Sequence, residues 1–138
     1  MAESERLLKV AVVSAERAVW AGQAKSIVAK TPEGDIGILY GHEPVLALLV
    51  DSSPLRVEQA DGSRMTVAVH GGFFSVAGNE VNVIAEVAEL ADDIDVDRAK
   101  ASLARAQAAG DSIDEQAALH RAEVRIQVAG VAKAISAR

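Results

Sequence analysis

Apolar and polar residues alternate along much of the first two thirds of the chain. Segments 8–13, 64–70 and 81–87 show this period of two, with Leu8 and Val10 on one side of the first segment. A period of two places successive side chains on opposite faces of a strand. Turn-forming residues separate these segments at 32–35, 51–54, 61–63 and 77–79. The pattern predicts an antiparallel β-sandwich and lacks the βαβ alternation of a nucleotide-binding parallel sheet.

The composition changes near residue 92. All three Pro and eight of the ten Gly precede residue 93, whereas 13 of the 46 residues from 93 onward are Ala. Gly and Pro interrupt short strands, and Ala is the best helix former. We therefore predict a β-sandwich domain over residues 1–92 and a helical domain over residues 93–138.

Capping residues predict two helices in the second domain. Asp95 is a suitable N-cap for a helix that runs to about Ala109 and stops at Gly110. Ser112 and Glu115 have capping-box spacing and predict the start of a second helix. Its apolar stripe consists of Ile113, Ala117, Val124, Val128, Val131 and Ile135. The two helices have small Ala faces, so we expect them to form an antiparallel hairpin.

Composition and charge exclude several classes of protein. Aromatic residues make up only 3% of the chain and its net charge is −6. Base-stacking modules need aromatic platforms, and phosphate backbones attract basic proteins, so we expect no nucleic-acid partner. The chain has no Cys, hence no disulfide framework and no thiolate metal site. No apolar run reaches the ~18 residues of a membrane span, so we expect a soluble, cytoplasmic protein.

The histidines do not form a pattern typical of catalysis or metal binding. His42, His70 and His120 fall in different predicted elements, without the spacing of convergent metal ligands. Asp35 and His42 flank one loop, but no candidate nucleophile accompanies them. No G-K-S/T follows the Gly-rich stretches, so they are not phosphate-binding loops. We predict neither a catalytic nor a metal site.

Arginines in the predicted hairpin form two pairs. Arg98 and Arg105 lie seven residues apart on the first helix, and Arg121 and Arg125 lie four apart on the second. If the helices fold back on each other, four guanidinium groups would converge on an anionic ligand such as a nucleotide phosphate. Solvated helix faces often carry arginines at the same spacings. The spacing leaves both interpretations open.

Three motifs resemble the epsilon subunits of F-type ATP synthases. GDIGILYGHEP (34–44) is similar to the family loop G-E/D-x-G-I/V-L-P-G-H-A-P, with Tyr and Glu in place of the usual first Pro and Ala. HGGFFSV (70–76) followed by NEVNVIA (79–85) resembles the family's strand pair, and IDVDRA (94–99) resembles the I-D-x-x-R-A nucleotide motif of some bacterial members. The motifs follow the family's order and cover nearly the whole chain.

This resemblance implies a non-catalytic subunit in the central stalk, or rotor, of the proton-translocating ATP synthase. The sandwich would couple the c ring to the gamma subunit, and the hairpin would inhibit ATP hydrolysis by extending into the alpha/beta catalytic head. The complex would place the chain peripherally at the cytoplasmic face of the plasma membrane. Two other readings remain, a stand-alone nucleotide-sensing module and a hydrolase built on a β-sandwich.

The resemblance also implies two sets of site residues. Asp35 and His42 match loop positions that contact the c ring in the family. No cofactor is required, but ATP is implied as a regulatory ligand that holds the hairpin against the sandwich. By family match the ATP-binding residues are Glu89, Ile94, Asp95, Arg98, Ala99, Arg105, Arg121 and Arg125.

Overall fold

The computed structural model describes residues 6–109 and 112–136, with side chains up to residue 130. Seven strands precede the helices. They are β1 (Leu8–Ser14), β2 (Ala18–Thr31), β3 (Gly34–Leu39), β4 (Val45–Leu48), β5 (Ser53–Gln59), β6 (Arg64–Ala77) and β7 (Glu80–Leu90). A short 3-10 helix (Ala91–Asp93) leads to helices α1 (Val96–Ala109) and α2 (Ile113–Ser136). The predicted helix stop, Gly110, lies outside the described residues.

The strands form a closed sandwich in the order β1-β7-β6-β5-β2-β3, with a further pairing between β1 and β2. The first half of β6 pairs with β5 and its second half pairs with β4, so this long strand has two partners in succession along one of its edges. Every buried residue of the main core lies between Leu8 and Ala88. The predicted β-sandwich followed by two helices is confirmed.

One pair of strands differs from the expected antiparallel arrangement. β1 pairs antiparallel with β2 on one side and parallel with β7 on the other. Val10, for example, lies opposite Gly22 and Val81. β2 and β7 run in opposite directions, so any strand inserted between them must be parallel to one of the two. Period-two alternation fixes the faces of a strand but not its direction, and the parallel pair could not be read from it.

The turn between β6 and β7 has a conformation that its sequence favours. Gly78 has a φ of 57° and Asn79 a φ of 64°. Two successive residues with positive φ match the twist of a two-residue hairpin turn, and Gly and Asn adopt this conformation most readily. The Oδ1 atom of Asn79 also accepts the backbone N–H of Gly41 at 2.7 Å. The turn therefore anchors the loop between β3 and β4.

Both helices begin where their capping residues predict. The Oδ1 atom of Asp95 accepts the backbone N–H of Arg98 at 3.0 Å, and the Oγ atom of Ser112 accepts that of Glu115 at 3.2 Å. Helix α1 packs against α2, and α2 lies on the outer face of β5 and β6. This interface has an apolar cluster of its own, called here the hairpin cluster: Ala68, Ile94, Val124, Val128 and Ala129.

The apolar stripe predicted for α2 is buried only in part. Val124 and Val128 are buried, but Ile113 is 85% exposed, so its assignment to the buried face is wrong. The described part of the hairpin cluster reaches α2 only at Val124, about three helical turns after Ile113. The first turns of α2 therefore extend past the sheet. The side chains of Val131 and Ile135 lie outside the described residues.

Candidate functional site

A cavity of ≈ 280 Å³, called here the junction cavity, lies where the end of β7, the linker and both helices meet. One lining residue comes from the end of β7. The linker before α1 and the first turns of α1 contribute five more, and α2 contributes the seventh. The lining residues are Glu89, Asp93, Asp95, Arg98, Ala99, Ser102 and Arg125. The structure thus brings five of the eight residues of the predicted ATP site to one cavity.

The other three residues of the predicted ATP site lie elsewhere. Ile94 is buried in the hairpin cluster beside the cavity. Arg105 is exposed on α1, where its Nη2 atom donates to the Oγ atom of Ser102 at 3.1 Å. Arg121 is half-buried on α2 and does not line the cavity. Two of the four arginines, Arg98 and Arg125, therefore share the cavity in this conformation.

Glu89 is held by two donors from different elements. Its Oε1 atom accepts the Nε–H of Arg125 at 2.6 Å and the Nε2–H of His70 at 3.1 Å. The hydrogen bond from His70 is the largest cause that lowers the pKa of Glu89; partial burial opposes it, and the bond and charge of Arg125 add to the lowering. Glu89 is consequently an ionised carboxylate that joins the sheet to α2.

The charges around the cavity restrict which ligands it can take. Glu89, Asp93 and Asp95 supply three carboxylates, against the two guanidinium groups of Arg98 and Arg125. A ligand here must offer hydrogen-bond donors to the carboxylates as well as anionic groups to the arginines. A nucleotide has both, in its adenine amine and ribose hydroxyls on one side and its phosphates on the other.

Acidification should weaken the attachment of α2 to the sheet. The pKa of Glu89 is lowered in the folded chain, first by the hydrogen bond from His70 and then by Arg125, so the Glu89–Arg125 pair contributes above the ordinary Glu pKa and is lost as the pH falls through the lowered value. We expect a loss of about 1 kcal/mol, because the pair is half-buried and partly screened. Thermal unfolding of the wild type and Glu89→Gln between pH 7 and pH 3 measures it. Identical pH profiles of the two proteins would contradict the assignment.

The two predicted c-ring contacts lie at opposite ends of β3. Asp35 is exposed near its start, and its Oδ1 atom lies 3.8 Å from the Nζ atom of Lys30 on β2. His42 follows the end of the strand, where its Nδ1–H donates to the carbonyl oxygen of Glu43 at 2.7 Å. From Asp35 to Leu39 alone the extended strand spans about 13 Å. Any partner that contacts both residues must therefore cover the length of this edge strand.

A row of exposed apolar side chains, which was not predicted from the sequence, lies on the outer face of the sandwich. Leu48 lies opposite Phe73, Phe73 opposite Ile84, and Ile84 opposite Val13, so one residue from each of four adjacent strands forms the row. Directly paired residues share a face of the sheet. Their exposed fractions are 66% for Leu48, 38% for Phe73, 42% for Ile84 and 36% for Val13. We call these four residues the outer apolar row.

A signal for this row was present in the alternation itself. Phe73 precedes the fully buried Phe74, and a strand that buries Phe74 must turn Phe73 outward. In the same way, Ile84 alternates with the buried Val83 and Ala85. Large apolar residues in the outward phase of adjacent strands therefore predict a contact surface. The alignment of these residues across neighbouring strands follows only from the strand pairing.

The described residues contain neither a candidate metal site nor a helix that could span a membrane. Across residues 6–109 and 112–136, no three His, Cys, Asp or Glu residues are grouped so that they could hold a metal ion. In the same ranges, no helix combines the length and the hydropathy needed to cross a bilayer.

Comparison with known proteins identifies the family. Residues 7–91 match the family model of the ATP synthase Delta/Epsilon chain, beta-sandwich domain. The ATP synthase epsilon chain of Streptomyces avermitilis is 46% identical over 131 residues, which cover 95% of this chain and 97% of that relative. The ATP synthase epsilon chain of Thermobifida fusca is 47% identical over 131 residues, covering 94% and 89%.

Solved structures share the fold at lower sequence identity. A chain of the Euglena gracilis mitochondrial ATP synthase aligns with a TM-score of 0.68 and 24% identity, covering 94% of this chain and 81% of that one. A chain of the Tetrahymena thermophila mitochondrial ATP synthase, from its central stalk and c ring, aligns with a TM-score of 0.58 and 16% identity, covering 91% and 95%. Because the family model matches more than half of the chain and the actinobacterial relatives match nearly all of it, the chain belongs to the ATP synthase epsilon chain family.

Proposed function

We propose that this chain is a rotor subunit of a proton-translocating F-type ATP synthase. Its sandwich couples the c ring to the gamma subunit, and its hairpin regulates ATP hydrolysis. It performs no catalysis itself and sits peripherally, at the cytoplasmic face of the plasma membrane. Membership of the epsilon chain family supports the role, and the outer apolar row is the structural observation that carries it.

The outer apolar row has the properties of a permanent docking face. It crosses four strands in register, and it includes no charged side chain. Contiguous exposed apolar residues of this kind mark protein contacts, and obligate interfaces are the more apolar ones. A rotor subunit must stay bound while torque passes through it, so a permanent contact suits the role. We assign this face to the gamma subunit.

Asp35 and His42 are the proposed contacts to the c ring. Asp35 is exposed, and its pair with Lys30 is a surface pair at 3.8 Å, worth at most about 1 kcal/mol, so a cation on the ring can replace Lys30 at low cost. His42 lies in the loop that Asn79 anchors to the β6–β7 turn. A loop anchored to a neighbouring turn suits the transmission of force better than a free one.

The hairpin is the proposed inhibitory element. Its helices pack on each other and carry their own caps, so the pair can leave the sheet as a unit. Leaving would free Arg125 from Glu89 and uncover the hairpin cluster. The released arginines would then meet acidic surface in the alpha/beta head.

Co-expression with the gamma subunit tests the rotor role. We expect the two chains to purify together in equal amounts without any other subunit. A stand-alone nucleotide-sensing module would elute by itself, and a hydrolase on this sandwich would turn over ATP as the isolated chain. Either of these results would overturn the proposal.

ATP is the proposed ligand of the junction cavity, where it would hold the hairpin in the docked conformation. Arg98 of α1 and Arg125 of α2 both line the cavity. Charge-assisted hydrogen bonds to phosphate contribute ~1.5–3 kcal/mol each, so Arg98→Ala and Arg125→Ala should each weaken binding about 10-fold or more. Calorimetric titration of the isolated chain measures this, with the exposed Arg56→Ala as the matched control. Absence of heat at millimolar ATP, or an unchanged affinity in both variants, would remove ATP from the mechanism.

A further inference from the structure

We propose that His70 is a positioning residue that, together with Ser52, orients Glu89 to receive Arg125 and so latches α2 onto the sandwich. We call the four side chains Ser52, His70, Glu89 and Arg125 the docking relay. The proposal concerns the isolated chain. It rests on the proposed function only for its consequence in the assembled enzyme.

The relay runs beneath α2 on the outer face of β6. The side chain of His70 points away from the main core, because its neighbour Val69 belongs to that core, and yet His70 is only 4% exposed. Its Nδ1 atom lies 2.9 Å from the Oγ atom of Ser52, which is 2% exposed. Its Nε2 atom lies 3.1 Å from the Oε1 atom of Glu89. Both imidazole nitrogens are therefore used within a buried site.

The chemistry of Glu89 fixes the direction of its hydrogen bond with His70. Glu89 is ionised and can only accept, so the Nε2 atom of His70 carries the proton. In the neutral imidazole the Nδ1 atom then accepts, and the hydroxyl of Ser52 donates. The carboxylate of Glu89 is thus held in one orientation before Arg125 arrives. A carboxylate held in this way meets the guanidinium without further ordering.

The backbone of Ser52 provides an independent observation. Ser52 has a φ of 59°, in the left-handed region that favours Gly. A Gly here would relieve the backbone but would lack the hydroxyl that bonds to His70. A strained Ser in a buried position is consistent with a use for its side chain.

Within the part of the chain whose side chains are described, the relay also contains the only directional link between hairpin and sheet. Among residues 6–109 and 112–130, the Arg125–Glu89 contact is the single ion pair or side-chain hydrogen bond that joins α1 or α2 to a strand. The hairpin cluster supplies apolar contact, which is not directional. The position of α2 on the sheet is therefore set by the guanidinium group of Arg125 and by the side chains that orient its acceptor, Glu89.

Fluorescence energy transfer within the full-length chain tests the relay. The chain has no Cys, so cysteines introduced at the exposed positions Ala60 on the sandwich and Gln127 on α2 can take the two dyes. We expect His70→Leu to lower the ratio of docked to released hairpin about 10-fold, because the hydrogen bond from His70 to the charged Glu89 is lost. His70→Gln retains a donor for Glu89 and should restore part of the ratio. His120→Leu, at an exposed site on α2, is the matched control and should change nothing.

A double-mutant cycle separates positioning from a general effect on folding. If His70 acts through Glu89 on Arg125, His70→Leu should have little further effect once Arg125→Gln is present. An equal loss in both backgrounds, or no loss in either, would overturn the proposal. Ser52→Ala removes only the hydroxyl and does not change the backbone. If His70→Leu fails to fold, the same cycle can be measured with Ser52→Ala in its place. If the docking relay were overturned, co-purification with the gamma subunit would be unaffected. The two results therefore distinguish failure of the relay from failure of the rotor role.

Discussion

Replacing Phe73 with Arg should abolish stable binding of the gamma subunit. Phe73 lies inside the outer apolar row, between Leu48 and Ile84, so an Arg here would place a charge within the apolar face. Central aromatic anchors of interfaces typically contribute 2 kcal/mol or more, and we expect the affinity to fall about 30-fold or more. Co-purification and a titration of gamma with the purified chain measure the loss.

Two controls separate this effect from unfolding. Phe73 is 38% exposed and lies outside the main core, so the variant should keep the melting temperature of the wild type within a few degrees. Ile113→Arg introduces the same charge at an exposed apolar site on the hairpin, and it should leave gamma binding unchanged. If Phe73→Arg bound gamma as tightly as the wild type, the outer apolar row would not be the docking face.

Deleting residues 93–138 should raise ATP hydrolysis by the assembled enzyme several-fold. All buried members of the main core lie between Leu8 and Ala88, so the truncated chain retains a complete sandwich. It also keeps the outer apolar row and the β3 edge, and should still assemble. What it loses is the proposed inhibitory element. Steady-state hydrolysis by the purified complex, with and without the deletion, measures the change.

The relay offers a matched control for this deletion. Arg125→Gln keeps the whole hairpin but removes its link to Glu89, so it should favour the released form and lower hydrolysis if release inhibits. Opposite effects of the deletion and of Arg125→Gln would be the signature of a hairpin that inhibits when released. Unchanged hydrolysis in the truncated complex would show that the hairpin of this chain does not inhibit.

Much of the fold could be predicted from local sequence. The alternation around Leu8 and Val10 gave a strand with the expected faces, and Asp95 caps α1 as predicted. These features depend on residues close together in the chain, where geometry is restricted to a few choices. The change in composition near residue 92 predicted the order of sandwich and helices, and the family motifs added the residues around the junction cavity.

Other features depend on which surfaces meet, and local patterns do not contain this information. Ile113 fits the apolar period of α2 but lies where the helix extends past the sheet. His70 belongs to no catalytic or metal-binding pattern in the sequence, which does not show that α2 covers this residue or that Ser52 faces it. Arg105 and Arg121 have suitable spacings, but spacing alone does not say which helix faces form the cavity.

The position of β1 determines the order in which the molecule can assemble. β1 is the first strand of the chain, and one of its two neighbours is β7, the last strand. The sandwich cannot close until β7 is available, so its completion depends on contacts between distant parts of the chain, which form slowly. The surface beneath α2 contains Ala68 and Glu89, which pair directly across β6 and β7, the last two strands of the sandwich. The hairpin can therefore dock only once β6 and β7 have paired, and its later release breaks none of the strand pairs.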